Sequence, residues 1–97
     1  MKYKIEYLST FYADVLQVSG FLEEYPQKAA RIFEKLDKSL CNLAKLPEMY
    51  PIYKDFPAFR FITVEDYIGF YMVNKHTGIV EVHRFIYARM DILEQLK

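Results

Sequence analysis

Three arginines, Arg60, Arg84 and Arg89, together with His83 and Tyr87, are the residues of this chain whose types and spacing could do chemistry. The chemistry would be metal-free cleavage of a phosphodiester. Guanidinium groups would hold the scissile phosphate and offset its developing charge, while His83 or Tyr87 moves a proton. The competing reading is structural: Arg60 and Arg84 stand near strand ends, where a guanidinium hydrogen-bonds to loop carbonyls or carboxylates, and neither has an obvious general base beside it. Other site chemistries lack residues. His76 and His83 have no second Cys or His nearby, so no metal site is expected, and each histidine reads as a turn or sheet-surface residue. Gly20, Gly69 and Gly78 do not cluster into a phosphate loop, and no HExxH or nucleophile-elbow pattern occurs. No cofactor is expected.

The elements that must position these residues are legible from hydrophobic period. Tyr3, Ile5 and Tyr7 alternate with Lys2, Lys4 and Glu6, which predicts a half-buried strand ended by Ser9 and Thr10 as helix N-caps. Phe11, Val15, Val18, Leu22 and Tyr25 then fall on one stripe of a first helix. Gly20 costs that helix ~1 kcal/mol relative to alanine and marks either a bend or a close helix contact. Pro26 opens a second helix in a tight hairpin, with Ala29, Phe33, Leu36, Leu40 and Leu43 on its buried stripe and Leu46-Pro47 at its end. Pro47, Pro51 and Pro57 define the main loop. Residues 58–64, 67–73 and 79–87 read as three antiparallel strands turned by Glu65-Asp66 and by residues 74–78, and Asp91 to Lys97 as a short helix. The expected fold is α+β: an N-terminal strand, a two-helix hairpin, a three-stranded antiparallel meander and a short C-terminal helix, in one domain over residues 1–97.

Alternation assigns Ile62, Val64, Ile68, Phe70, Met72, Val80, Val82 and Ile86 to the face against the helices. Phe59, Phe61, Tyr67, Tyr71, Glu81, His83, Phe85 and Tyr87 then fall on the opposite face. A sheet face so rich in aromatics is read either as a partner-binding groove or as a surface covered by the C-terminal helix.

Composition excludes further classes. The 97 residues carry 13 basic and 13 acidic side chains, divided 6 against 6 up to Ala44 and 7 against 7 beyond, so neither half is a basic nucleic-acid arm. The single cysteine, Cys41, cannot form an intramolecular disulfide and is expected to be a core thiol. The N-terminus lacks the continuous apolar run of a signal peptide, and no run approaches the ~20 residues of a membrane span, so a cytoplasmic location is expected.

The element order, with Phe56-Pro57-Ala58-Phe59-Arg60 entering the second strand and Phe85-Ile86-Tyr87-Ala88-Arg89-Met90-Asp91 leaving the last one, resembles the RelE/ParE superfamily of type II toxin-antitoxin toxins over essentially the whole chain. Both segments are similar to the ParE branch in particular. That resemblance implies a toxin that inhibits DNA gyrase without being an enzyme, neutralised in a hetero-oligomer by a cognate antitoxin. The RelE branch implies instead a ribosome-dependent messenger ribonuclease, with Arg60, Arg84 and Arg89 as its clamps. The RelE pattern has an arginine after the tyrosine of the third strand, where Tyr67 is followed by Ile68. It has basic residues two apart in the second strand, where Arg60 is followed by Ile62. Its C-terminal catalytic tyrosine falls near Gln95, and Arg89 alone matches. ParE-like chains often show histidine where this chain has Tyr87. From the resemblance, Phe59, Arg60, Tyr67, Tyr71 and Phe85 are expected to meet the antitoxin, and Tyr87, Arg89 and Met90 the target.

Overall fold

Residues 2–96 are described by the computed structural model; Met1, and Lys97 at the outer end of the expected last helix, lie outside them. The elements run β1 (Lys4–Tyr7), α1 (Ser9–Phe21), α2 (Pro26–Asn42), β2 (Arg60–Val64), β3 (Tyr67–Asn74), β4 (Ile79–Tyr87) and α3 (Ile92–Leu96). This is the expected α+β order. The strands form one sheet in the order β1-β4-β3-β2, with β1 parallel to β4 and the other pairs antiparallel. α1 lies over β4 and α2 over β2.

The main core sits between the helices and one face of the sheet. Phe11, Val18 and Leu22 from α1 and the turn after it, with Ile32, Leu36, Leu40 and Leu43 from α2 and its end, pack on Ile62, Val64, Tyr67, Tyr71, Val80, Val82 and Phe85. Here the structure corrects the expected phasing. Glu65 and Asp66 form a two-residue turn, so Val64 and Tyr67 are direct cross-strand partners, and such partners point to the same face. Tyr67 and Tyr71 therefore face the helices, and Ile68, Phe70 and Met72 face away. In β4 the register shifts between Phe70 opposite Arg84 and Tyr71 opposite Val82, so His83 is an extra bulged residue. The bulge sends Phe85 to the helix side and Ile86 to the other.

The second face is covered. Phe59, Phe70, Ile86 and Leu96 form a smaller core, joined by Tyr53 and Phe56 of the proline-rich loop and by Ile92 of α3. Tyr53 meets Phe70 edge-on at 5.0 Å between ring centroids, and Phe59 does so at 5.9 Å. The loop and the C-terminal helix together hide this face, so the open aromatic groove is replaced by a second core. Two local expectations also change. The α1 N-cap is Leu8, without a side-chain cap bond, because the Thr10 hydroxyl donates to the His83 carbonyl at 2.8 Å instead. Cys41 is exposed, since Leu40 occupies the core stripe and the next helical position turns away from it.

Charged groups fasten the β2–β3 turn to α2. Glu65 sits at φ 53°, a left-handed conformation that L side chains adopt at a cost. Arg31 Nε donates to its carboxylate at 2.6 Å and Lys35 Nζ at 3.1 Å, and Lys28 stands 3.6 Å from Asp66. The Arg31 and Lys35 hydrogen bonds hold the Glu65 carboxyl down at about 2. A depressed carboxylate pKa contributes stability above its unfolded value of about 4.5, lost as pH falls through the folded value. Glu65→Gln is therefore expected to melt below the wild type at neutral pH and to converge on it as pH drops from about 4.5 to about 2, read as Tm against pH. A constant gap across that window would show that the charge contributes nothing.

Candidate functional site

The three arginines are not equivalent. β1 ends at Tyr7, so the flank of β4 beyond Val82 has no neighbouring strand, and its backbone groups need other partners. α1 supplies them. After the Thr10 hydroxyl at His83, the Asp14 carboxylate accepts the Phe85 amide at 2.9 Å. The same carboxylate takes a two-pronged ion pair from Arg84, Nε to Oδ2 at 2.7 Å and Nη2 to Oδ1 at 3.0 Å. Arg84 also donates to the Gln95 main-chain oxygen at 2.6 Å and to its side-chain oxygen at 3.1 Å. This guanidinium is committed to joining α1, β4 and α3.

Arg60 is committed as well. Its Nη1 donates to the carbonyls of Tyr50 at 2.8 Å and Glu48 at 3.2 Å, and Nη2 reaches the Glu48 carboxylate at 3.2 Å. It thereby shapes the loop whose Pro47 carbonyl accepts the Tyr71 hydroxyl at 2.8 Å. Burial pushes that phenol up to about 12, which suits a structural hydroxyl and not a proton donor. Arg89 differs from both: it is exposed, and among the described residues no carboxylate or carbonyl pairs with it.

His83 is no better placed as an acid or base. Its ring is half-buried, edge-on to Phe59 at 5.1 Å, with Nε2 unbonded and 3.7 Å from Glu81. Burial lowers its pKa, which the Glu81 charge only opposes. Among the described residues no group of three or more His, Cys, Asp or Glu is arranged to hold a metal ion.

What the residues do build is an apolar cleft of about 410 Å³ between α1 and the end of β4. Phe21, Tyr67, Phe85, Tyr87 and Met90 wall it, with the Arg84–Asp14 pair lining it too. Two of the five residues expected to meet an antitoxin, Tyr67 and Phe85, and two of the three expected to meet a target, Tyr87 and Met90, thus border one cavity. The third residue expected to meet the target, Arg89, is the chain neighbour of Met90. Phe59 and Tyr71 do not line the cleft and are buried, and Tyr67 and Phe85, which do line it, are core residues as well at 7% and 1% exposure, so the expectation of four exposed aromatic antitoxin contacts is corrected. Asp14 and Phe21 were not anticipated. The signal for Asp14 was present, since it is the one charged residue of α1 and shares the stripe of Phe11 and Val18.

The chain resembles a chain of the chromosomal ParDE toxin-antitoxin system from P. aeruginosa at a TM-score of 0.74 and 13% identity, covering 91% of this chain and 98% of that one. It also resembles a chain of the toxin-antitoxin complex RelBE2 from Mycobacterium tuberculosis at 0.64 and 13% identity, covering 90% and 99%. At such identity these likenesses concern the fold. A search of curated proteins gives no match. The profile of the ParE toxin of type II toxin-antitoxin system, parDE, matches residues 5–92, and the chain accordingly belongs to the ParE toxin family.

Proposed function

We propose that this chain is a ParE-type toxin that acts by adhesion: it inhibits DNA gyrase in the cytoplasm and is held inactive by a cognate antitoxin. The carrying observation is the division of labour among the arginines. A phosphate-cleaving site needs several cations converging on one phosphate with an acid and a base beside them. Arg60 and Arg84 are consumed by carbonyls and carboxylates of their own fold, which leaves Arg89 alone. One exposed cation next to an apolar cleft is suited to holding a protein partner.

The antitoxin would set an apolar side chain into the cleft between the exposed walls Phe21, Tyr87 and Met90 and bring a carboxylate to Arg89. Because Tyr87 and Met90 border the same cleft, this contact would cover the target-binding residues, and neutralisation would be direct exclusion. Purified chain added to a gyrase supercoiling reaction tests the reading. Supercoiling is expected to fall as toxin approaches the enzyme's concentration. Undiminished supercoiling at a large molar excess, or cuts within codons when messenger RNA is translated with the chain present, would overturn it in favour of a ribosome-dependent ribonuclease.

A further inference from the structure

The cleft at the end of β4 is apolar in its walls and polar at one place. Exposure orders it: Phe21, Tyr87 and Met90 stand out in solvent at its rim, whereas Tyr67, Phe85 and the Arg84–Asp14 pair lie low. The hydrogen-bonding capacity of that pair is not all used. Of the five N–H groups of a guanidinium, Arg84 commits four: Nε and one of Nη2 to Asp14, the other of Nη2 and one of Nη1 to Gln95. Asp14 Oδ2 accepts twice, from Arg84 and from the Phe85 amide, but Oδ1 accepts once. One guanidinium N–H and one carboxylate lone pair are thus left over, side by side, on two residues that line the same cavity.

An occupant that expels water from the cleft has to partner these groups, because a buried donor or acceptor left unmade costs more than a made bond returns. A purely aliphatic side chain partners neither. A carboxylate would be drawn by Arg84 and repelled by Asp14, an ammonium the reverse, and either would bring an unmatched charge into a mostly apolar cavity beside a pair that is already neutral. Indole donates but does not accept, and amide side chains have little apolar body. A phenol meets every condition. Its ring is the apolar body that Phe21, Tyr87 and Met90 can enclose, and its hydroxyl both donates and accepts. We infer that the antitoxin's anchor in this cleft is a tyrosine, whose hydroxyl accepts from Arg84 Nη1 and donates to Asp14 Oδ1. The inference rests on the reading of the cleft as the antitoxin's seat and adds to it the chemistry of the side chain that the seat selects.

Nuclear magnetic resonance spectra of the isotope-labelled full chain, recorded while N-acetyl-tyrosine methylamide or its phenylalanine counterpart is added, test this. The tyrosine probe is expected to bind with a Kd on the order of 1 mM, shifting the Phe85 amide and the Arg84 Nε–H signals. The phenylalanine probe lacks only the hydroxyl and is expected to bind about tenfold or more weakly, since it leaves both polar groups unpaired. Met90→Glu, at an exposed rim residue, is expected to weaken the tyrosine probe by about tenfold with an unchanged Tm. Leu93→Glu, exposed on α3 and outside the cleft, is expected to leave probe binding intact. Equal affinity for the two probes would overturn the proposal and leave the anchor merely apolar. The absence of a saturable shift with either probe, or tyrosine binding indifferent to Met90→Glu, would overturn it too. A chain that inhibits gyrase yet treats the probes alike keeps the proposed target and loses the tyrosine, whereas one that prefers the tyrosine probe but spares supercoiling does the reverse.

Discussion

Asp14→Ala is expected to remove about 3 kcal/mol of stability, the scale found when one partner of a buried ion pair is deleted. Asp14 is 8% exposed, and Arg84 keeps about a fifth of its side chain in water, so the figure is taken from the lower part of that range. Three losses coincide in this substitution. The Arg84 guanidinium loses its counter-charge, the Phe85 amide loses its acceptor, and of the side-chain ties from α1 to β4 only the Thr10 hydrogen bond is left. For a domain of this size the change is a large share of the total, and a Tm drop of roughly 12–24 °C follows. Thermal denaturation measures it. A drop of only a few degrees would mean that water replaces the carboxylate and that the pair is ornamental to the fold. Arg84→Ala should be comparably destabilising, so any loss of toxicity in that variant reports unfolding and not a missing phosphate clamp.

Arg89→Glu should do the opposite. Stability is expected to stay within about 0.5 kcal/mol of the parent, since the side chain is exposed and no described residue pairs with it. On the proposed function, inhibition of gyrase should weaken by roughly a hundredfold, as expected for reversing a central charged contact in a protein interface. Titrating wild type and variant into the same supercoiling reaction gives the ratio directly. Equal potency would remove Arg89 from the target surface. A parallel collapse of Tm and potency would assign it to the fold. Together the Asp14 and Arg89 substitutions separate the arginine that the structure needs from the one that it leaves available.

The contrast between these arginines was only half legible in the sequence. Strand ends near Arg60 and Arg84 suggested structural hydrogen bonds, and both residues make them. Their partners could not be named, because Glu48, Asp14 and Gln95 are far away along the chain or, for Gln95, reached through a turn that carries no periodic signal. Element order was readable from period alone, since the spacing of Leu36 and Leu40 and the position of Pro26 are local facts. Face assignment was not. It depended on the residue count of one turn, Glu65-Asp66, which sets Val64 and Tyr67 side by side, and on one bulged residue, His83, which leaves no mark in an alternation of large apolar side chains. A phase error of a single residue moved Tyr67, Tyr71 and Phe85 from an imagined outer surface into the core. The cleft escaped notice for the same reason, because it forms only where the rephased strand end meets α1.

The way α1 attends to β4 bears on how this protein resists misassembly. Beyond Tyr7 the longest strand of the sheet would present a bare row of amides and carbonyls, an invitation to any stray extended peptide. The Thr10 hydroxyl and the Asp14 carboxylate occupy that row with side chains in place of backbone. An intruding strand must first peel a whole helix from its bed, so this border is guarded against runaway stacking even in a chain with so many aromatic residues.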